Sequence, residues 1–294
     1  MNWPASCVKP QEPLAKHTSF RIGGPAEWYA EPSTMDELLS LLRAAQHSGI
    51  PVSVIGGGTN LLVADRGLRG LVLRVGRGFR QVDELSPPDA PEATIRCGAS
   101  VLTQHVVSLA AQRGWEGLEA MTGLPGQIGG AVTMNAQNIG RFVDEVTLVS
   151  TMGHAARVGR GQLHFSYRYS AIGPGIIVEA KLRFRRAESP SNANRIHDAL
   201  CYRNTTQDLR LPSAGCAFKN PQGESAGRLI DQAGLKGKRI GDAQVSLRHG
   251  NFIVNLGQAT CDDVLGLMEH VQRRVRRSFG IGLEPEFRIL GEPW

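Results

Sequence analysis

The chain has 294 residues, 41% hydrophobic and 20% charged, which is enough for two or three separate cores in an ordinary globular protein. Lys and Arg outnumber Asp and Glu by 33 to 27, a net charge of +6, but the basic residues are scattered and aromatics make up only 6%. That pattern favours small anionic ligands over a nucleic-acid platform, which would interleave basic and aromatic residues. Cys7, Cys97, Cys201, Cys216 and Cys261 are odd in number and form no C-x-x-C pair, no apolar run reaches the length of a membrane span, and no signal pattern opens the chain. The expectation is a reduced, cytoplasmic protein with no membrane partner, disulfide framework or zinc site.

Residues 1–16 read as an irregular lead-in, and His17-Thr18-Ser19-Phe20-Arg21-Ile22-Gly23-Gly24-Pro25 ends in a turn before a strand at 27–31. Thr34-Met35-Asp36-Glu37 has the form of a capping box, and Leu38, Leu41, Leu42 and Ala45 share the inner face of a helix that Gly49 stops. Residues 51–55 then form a buried strand running into Gly56-Gly57-Gly58-Thr59-Asn60-Leu61-Leu62, so that strand, helix and strand make a βαβ unit with a bare-backbone loop at its end. Consecutive glycines let backbone N–H groups converge on a phosphate, and Thr59 and Asn60 add side-chain donors. The spacing matches neither a Rossmann fingerprint nor a P-loop.

Short alternating strands follow at 71–75, 81–84 and 94–97. A helix with Ser100 as N-cap turns Leu102, Val106, Leu109 and Ala110 inward and closes at Gly114. Thr122-Gly123-Leu124-Pro125-Gly126-Gln127-Ile128-Gly129-Gly130-Ala131-Val132-Thr133-Met134-Asn135-Ala136 carries too many glycines for a regular element and reads as a second phosphate-competent loop. Two such loops suit one long polyphosphate cofactor contacted twice. Strands at 146–152 and 176–184 flank the connection Phe165-Ser166-Tyr167-Arg168-Tyr169-Ser170, and residues 188–194 are the best linker candidate. Beyond it come a basic helix near 196–202, the segment Ser213-Ala214-Gly215-Cys216-Ala217-Phe218-Lys219-Asn220-Pro221, a helix at 226–233 and a strand at 252–255. The last helix starts at Thr260-x-x-Asp263, buries Val264, Leu267, Met268, Val271 and Val275, and stops at Gly280 before a strand at 284–290. His17 and His249 have no companions at ligand spacing and read as structural, so no metal is expected.

Seven motifs occur in one order: His17 to Gly24, Gly56 to Leu62, Gly123 to Gly130, Tyr167-Arg168-Tyr169-Ser170, Ala214 to Pro221, Ala233-Gly234-Leu235-Lys236-Gly237 and Leu283-Glu284-Pro285-Glu286. Together they closely resemble the UDP-N-acetylenolpyruvoylglucosamine reductases, the MurB flavoenzymes of bacterial cell-wall precursor synthesis. Little sequence separates Arg168 from the next strand, as in the compact class of that family, which lacks a substrate-covering insertion. The resemblance implies an α+β fold in three parts. Two subdomains of the vanillyl-alcohol-oxidase-like (PCMH) kind, 1–70 and 71–187, would bind FAD non-covalently, and 188–294 would bind substrate. NADPH would reduce the flavin and the enolpyruvyl ether of UDP-N-acetylglucosamine would be reduced to its lactyl ether, by a monomer with no nucleic-acid partner.

By the same resemblance Arg21, Ile55, Gly56, Gly57, Gly58, Thr59, Asn60 and Leu61 contact FAD, as do Thr122, Gly123, Pro125, Gly126, Gly129, Gly130, Asn135 and Ala136. Arg168 matches the family's arginine against the substrate carboxylate, where a guanidinium can form two parallel hydrogen bonds. Glu286 matches its catalytic glutamate, which a neighbouring carboxylate would keep protonated and able to donate. Cys216 stands where the family usually has a proton-donating serine. An ordinary thiol of pKa about 8.5 is about 97% protonated at pH 7, so cysteine can supply that proton. Tyr167 and Asn220 match positions near the substrate, and Arg203, Lys219 and Arg228 are candidates for its diphosphate.

Overall fold

The structure is a computed structural model that describes residues 3–4, 6–87, 90–186, 192–208 and 210–291. In chain order the first half comprises β1 (Val8–Pro13), β2 (Pro25–Ala30), α1 (Met35–His47), β3 (Val52–Ile55), β4 (Leu61–Val63), β5 (Leu68–Arg74), β6 (Val82–Glu84), β7 (Glu92–Gly98), α2 (Thr103–Arg113), α3 (Ile128–Thr133) and β8 (Val143–Val149). The second half comprises β9 (Ala155–Gly159), β10 (His164–Ser166), β11 (Tyr169–Ala171), β12 (Ile176–Arg185), α4 (Asn192–Thr206), β13 (Ser213–Cys216), α5 (Ala226–Gln232), β14 (Arg239–Ile240), β15 (Ala243–Val245), β16 (Phe252–Asn255), α6 (Cys261–Phe279) and β17 (Arg288–Leu290). Mixed helices and sheets make this an α+β fold. No described helix is long and apolar enough to cross a membrane.

Two compact units are each assembled from segments distant in sequence. The first comprises Met1–Lys9, Trp28–Gly57 and Gly70–Tyr202, and the second Pro10–Glu27, Gly58–Arg69 and Arg203–Trp294. The first unit has two cores. In one, α1 packs Leu38, Leu41, Leu42 and Ala45 against Leu71 and Leu73 of β5. Thr34 and Glu37 form the reciprocal capping box that starts this helix. The sheet order is β1-β2-β5-β3, with β3 parallel to β5 and Val52 opposite Leu71. β5 therefore lies between the two strands expected to make a simple βαβ pair, and β1 occupies a stretch expected to be irregular.

The other core lies on the antiparallel sheet β6-β7-β12-β8-β9. Its central strand β12 pairs antiparallel on both sides, with Ala180 opposite both Cys97 and Val146, and beyond Val178 it alternates buried Ala180, Leu182 and Phe184 with Lys181, Arg183 and Arg185. α2 covers it with Thr103, Val106, Val107 and Ala110, whereas Leu102, expected inside, is 53% exposed at the N-cap. Ser100 does not cap α2; its hydroxyl donates to the carbonyl of Val75. Residues 188–191 of the expected linker lie outside the described residues, and α4 starts at Asn192.

The second unit is built on the sheet β13-β16-β15-β14 covered by α6. Val264, Leu267, Met268, Val271 and Val275 are all buried, as their spacing requires, at about 1.5–3 kcal/mol each. Thr260 and Asp263 form a second capping box, and the carboxylate of Asp65 accepts from the N–H groups of Cys261 at 2.9 Å and Asp262 at 3.3 Å. β4 pairs in parallel with β17, Leu61 opposite Arg288. The expected strand at 284–290 is thus regular only from Arg288.

Candidate active site

In the first unit the two glycine-rich segments meet. Ile55 ends β3 buried, and a Cβ placed on Gly56 would lie 3.7 Å from Oε1 of Gln127 and 4.0 Å from Cα of Gly130. Nothing lies within 4 Å of a Cβ on Gly130. Two stretches of bare backbone therefore lie side by side and leave space that any side chain would fill. The second segment is not loop throughout, for α3 runs Ile128–Thr133 through Gly129 and Gly130. Tertiary contact overrides poor helix propensity here: Ile128 and Val132 are buried, and the Gly129 N–H donates to the Ala99 carbonyl at 2.9 Å. Thr122 is buried just upstream, and Gly123 and Gly126 both have positive φ, at 70° and 128°.

Asn135 follows α3 in the left-handed region at φ 44°, with Ala136 buried beside it. Its Oδ1 accepts from the Gly140 N–H at 2.9 Å, and its Nδ2 donates to the Ser166 carbonyl at 2.8 Å. That second bond anchors a hairpin, β10 against β11, where the sequence was expected to form only a connection. The Ser170 hydroxyl ties the other strand to the Thr133 carbonyl at 2.6 Å. Between Ser166 and Tyr169 the turn consists of Tyr167 and Arg168, and Arg168 has φ 55°. Glycine or asparagine is usual at that position, so an arginine there carries backbone strain of the kind found at functional sites. Its guanidinium lies 5.8 Å from the ring of Tyr167, which is exposed.

The other candidates lie in the second unit. Arg21, also left-handed at φ 57°, is exposed in a turn closed by its N–H to the Thr18 carbonyl at 3.2 Å. Gly58 can only be glycine, since its φ is 67° and a Cβ would come 1.9 Å from the His17 carbonyl oxygen. Asn60 Nδ2 donates to the Glu286 carbonyl at 3.4 Å, and the Asn60 carbonyl accepts from the Arg288 N–H at 2.9 Å. Thr59 and Leu61 flank it.

Cys216 ends β13 opposite Phe252, after a bulge at Gly215 with φ 82° that re-aims the strand. The next residues continue the strand toward 284–286: the Glu286 N–H donates to the Ala217 carbonyl at 2.9 Å and the Lys219 N–H to the Glu284 carbonyl at 2.8 Å. Cys216 and Glu286, far apart in sequence, are thus brought onto adjoining segments tied by these backbone bonds and by an isolated bridge between Phe218 and Pro285. Arg203, in the last turn of α4, is half-buried; burial lowers the pKa of its guanidinium and the nearby charge of Cys216 opposes that shift.

Three of the remaining candidates are engaged locally. Lys219 pairs with Glu284 at 3.2 Å, Arg228 with Glu224 one helical turn away, and Asn220 Oδ1 accepts from the Ala226 N–H at 3.0 Å at the start of α5. Sequence reasoning missed Gln127, whose side chain meets Gly56, and Asn251, which braces the Cys216 strand. Only the clustering of polar residues among glycines pointed to Gln127, and nothing in the linear pattern marked Asn251.

Residues 207–290 match the family model of the UDP-N-acetylenolpyruvoylglucosamine reductase C-terminal domain, and residues 26–159 match that of an FAD binding domain. UDP-N-acetylenolpyruvoylglucosamine reductase 2 of Symbiobacterium thermophilum is 42% identical across 98% of this chain and 94% of its own length. The UDP-N-acetylenolpyruvoylglucosamine reductase of Rubrobacter xylanophilus is also 42% identical, across 97% of this chain and 96% of its own. Among solved structures, the UDP-N-acetylenolpyruvylglucosamine reductase (MurB) of Thermus caldophilus superimposes with a TM-score of 0.78 at 36% identity, covering 97% of this chain and 98% of that one.

Proposed function

The chain belongs to the UDP-N-acetylenolpyruvoylglucosamine reductase family, and we infer from that membership that it is an FAD-dependent oxidoreductase. It reduces UDP-N-acetylglucosamine enolpyruvate to UDP-N-acetylmuramate, with NADPH as reductant, in peptidoglycan precursor synthesis. The observation that carries this reading is likeness along nearly the whole chain at 42% identity. The bare backbone of Gly56 beside that of Gly130 fits a cofactor that must approach main chain closely. When bound, FAD would supply the hydride chemistry that couples NADPH oxidation to reduction of the enolpyruvyl ether.

The residues of this chain divide the remaining work. Gly56, Gly57, Gly58, Gly123, Gly126, Gly129 and Gly130 would let the pyrophosphate and flavin approach the main chain closely, with Arg21, Ile55, Thr59, Asn60, Leu61, Thr122, Pro125, Asn135 and Ala136 as further contacts. Arg168 would take the substrate carboxylate with two parallel hydrogen bonds, and its charge steadies the enolate that hydride addition builds. The thiol of Cys216 would protonate the carbon bearing that carboxylate: the S–H bond breaks, a C–H bond forms, and solvent later restores the thiol proton. Glu286, as an acid, would donate a hydrogen bond to the enolate. Tyr167, Lys219, Asn220 and Arg228 remain candidates for the nucleotide sugar. An odd number of cysteines with no C-x-x-C pair supports a reducing, cytoplasmic compartment.

The test is an anaerobic visible spectrum of the purified protein. NADPH should bleach the oxidised flavin band, and the enolpyruvyl sugar nucleotide should restore it. A colourless protein that takes up no FAD would overturn the reading.

A further inference from the structure

The strand carrying Cys216 lacks an ordinary partner where it matters most. β16 pairs with β13 only as far as Phe252 opposite Cys216, and the residue before it, Asn251, leaves the ladder. The Ala217 N–H still finds the Asn251 carbonyl at 2.8 Å. Phe218, however, faces no peptide on that side. Its N–H donates to Asn251 Oδ1 at 2.9 Å and its carbonyl accepts from Asn251 Nδ2 at 2.7 Å, so one carboxamide stands in for a whole rung of the sheet. Asn251 is 2% exposed and Phe218 1% exposed, so water cannot replace either bond. On its other edge the same strand holds Glu286 and Glu284 through Ala217 and Lys219. The Asn251 backbone is itself fixed, its N–H donating to His249 Nδ1 at 3.2 Å.

We propose that Asn251 is a positioning residue for the protonation step: its carboxamide orients the Phe218 peptide and thereby sets the register of Cys216 against Glu286. This rests on the roles inferred above for those two side chains. The carboxamide is required because it offers one donor and one acceptor in the geometry of a peptide. Aspartate has the same shape but only acceptors when ionised, and sets a carboxylate oxygen against the Phe218 carbonyl. Alanine satisfies neither group. Loss of the rung lets the strand drift, and a displacement of this order at a reacting group costs roughly 10²-fold in rate.

The experiment measures the two half-reactions of the FAD-loaded enzyme separately by stopped flow, for wild type, N251D, N251A and N251S. The expected result is flavin reduction by NADPH at the wild-type rate and reoxidation by the enolpyruvyl sugar nucleotide slowed roughly 10²-fold. The loss should fall on kcat rather than KM, with a larger solvent deuterium isotope effect as proton delivery becomes limiting. Flavin reduction at the wild-type rate also certifies the fold; where alanine does not yield folded enzyme, serine and aspartate carry the comparison. Equal slowing of both half-reactions, an unchanged isotope effect, or full reoxidation rates in a variant of lowered Tm would each overturn the positioning role. Failure of NADPH to reduce the wild-type flavin would instead overturn the inferred activity, whatever the variants do.

Discussion

Arg168 is the residue at which stability and activity should separate. It sits third in a four-residue hairpin turn at φ 55°, a conformation that costs an L-residue about 1–2 kcal/mol. Replacing it with glycine removes that strain but returns about 0.5–1 kcal/mol through the greater freedom of the unfolded chain. The hairpin base is untouched, because Asn135 and Ser170 anchor it through other atoms. Arg168→Gly should therefore be neutral to about 1 kcal/mol more stable. On the role proposed for Arg168, the same change also removes two charge-assisted hydrogen bonds to the substrate carboxylate, each about 1.5–3 kcal/mol, which together amount to roughly 10²–10⁴-fold in the reoxidation step. Thermal unfolding of the FAD-loaded protein reads the first effect, and single-turnover reoxidation after NADPH reduction reads the second. Arg168→Lys, which keeps charge without the bidentate fork, should lie between. A glycine variant that is clearly less stable, or that reoxidises within a few-fold of wild type, would refute the reasoning that strain is held there for catalysis.

Two further outcomes follow from the buried titratable groups. Burial pushes the thiols of Cys97 and Cys261 up to about 12, so neither should react with iodoacetamide near neutral pH until the protein unfolds. In a Cys201→Ser background, which removes the exposed thiol, loss of turnover should track alkylation of Cys216 by mass spectrometry; Cys216→Ser should keep turnover and resist the reagent, and outright loss of turnover in that variant would refute interchangeable proton donors. His249 has its pKa lowered below the usual 6.5, chiefly by burial and then by the Lys236 charge, so the unfolded chain binds its proton more readily. The stability this contributes is present above pH 6.5 and is lost as pH falls through the folded value, so denaturation midpoints should fall on acidification, and His249→Gln should flatten that fall.

What could be read in advance from the chain is what depends on neighbours in sequence. α1 and α6 were legible because Thr34 with Glu37 and Thr260 with Asp263 start them and the 3.6-residue period names their buried faces. α3 was hidden because Gly129 and Gly130 oppose a helix locally; buried Ile128 and Val132, and a bond from Gly129 to the Ala99 carbonyl, override that preference. The hairpin at 164–171 was hidden for the opposite reason, since Tyr167-Arg168 lacks the glycine or asparagine that would announce a tight turn. The strain that concealed it is also its best functional sign. Among the described residues Arg21, Asn135 and Arg168, all candidates from motif likeness, recur among the few non-glycine positions of positive φ.

Tertiary partnership explains the rest. Gly57 and Gly58 are adjacent in the motif yet belong to different units, because Gly58 packs under His17 while β4 just beyond pairs with β17. No local signal tells a glycine which distant carbonyl it must let pass. Asn251 makes the same point for a polar side chain: in sequence it is one asparagine before an apolar strand, and its role exists only once Phe218 presents a peptide with no backbone partner. Residues that touch a ligand repeat recognisable chemistry and can be matched by type. Residues that hold such groups in register are defined by the vacancy they fill in the fold, and only coordinates reveal that vacancy.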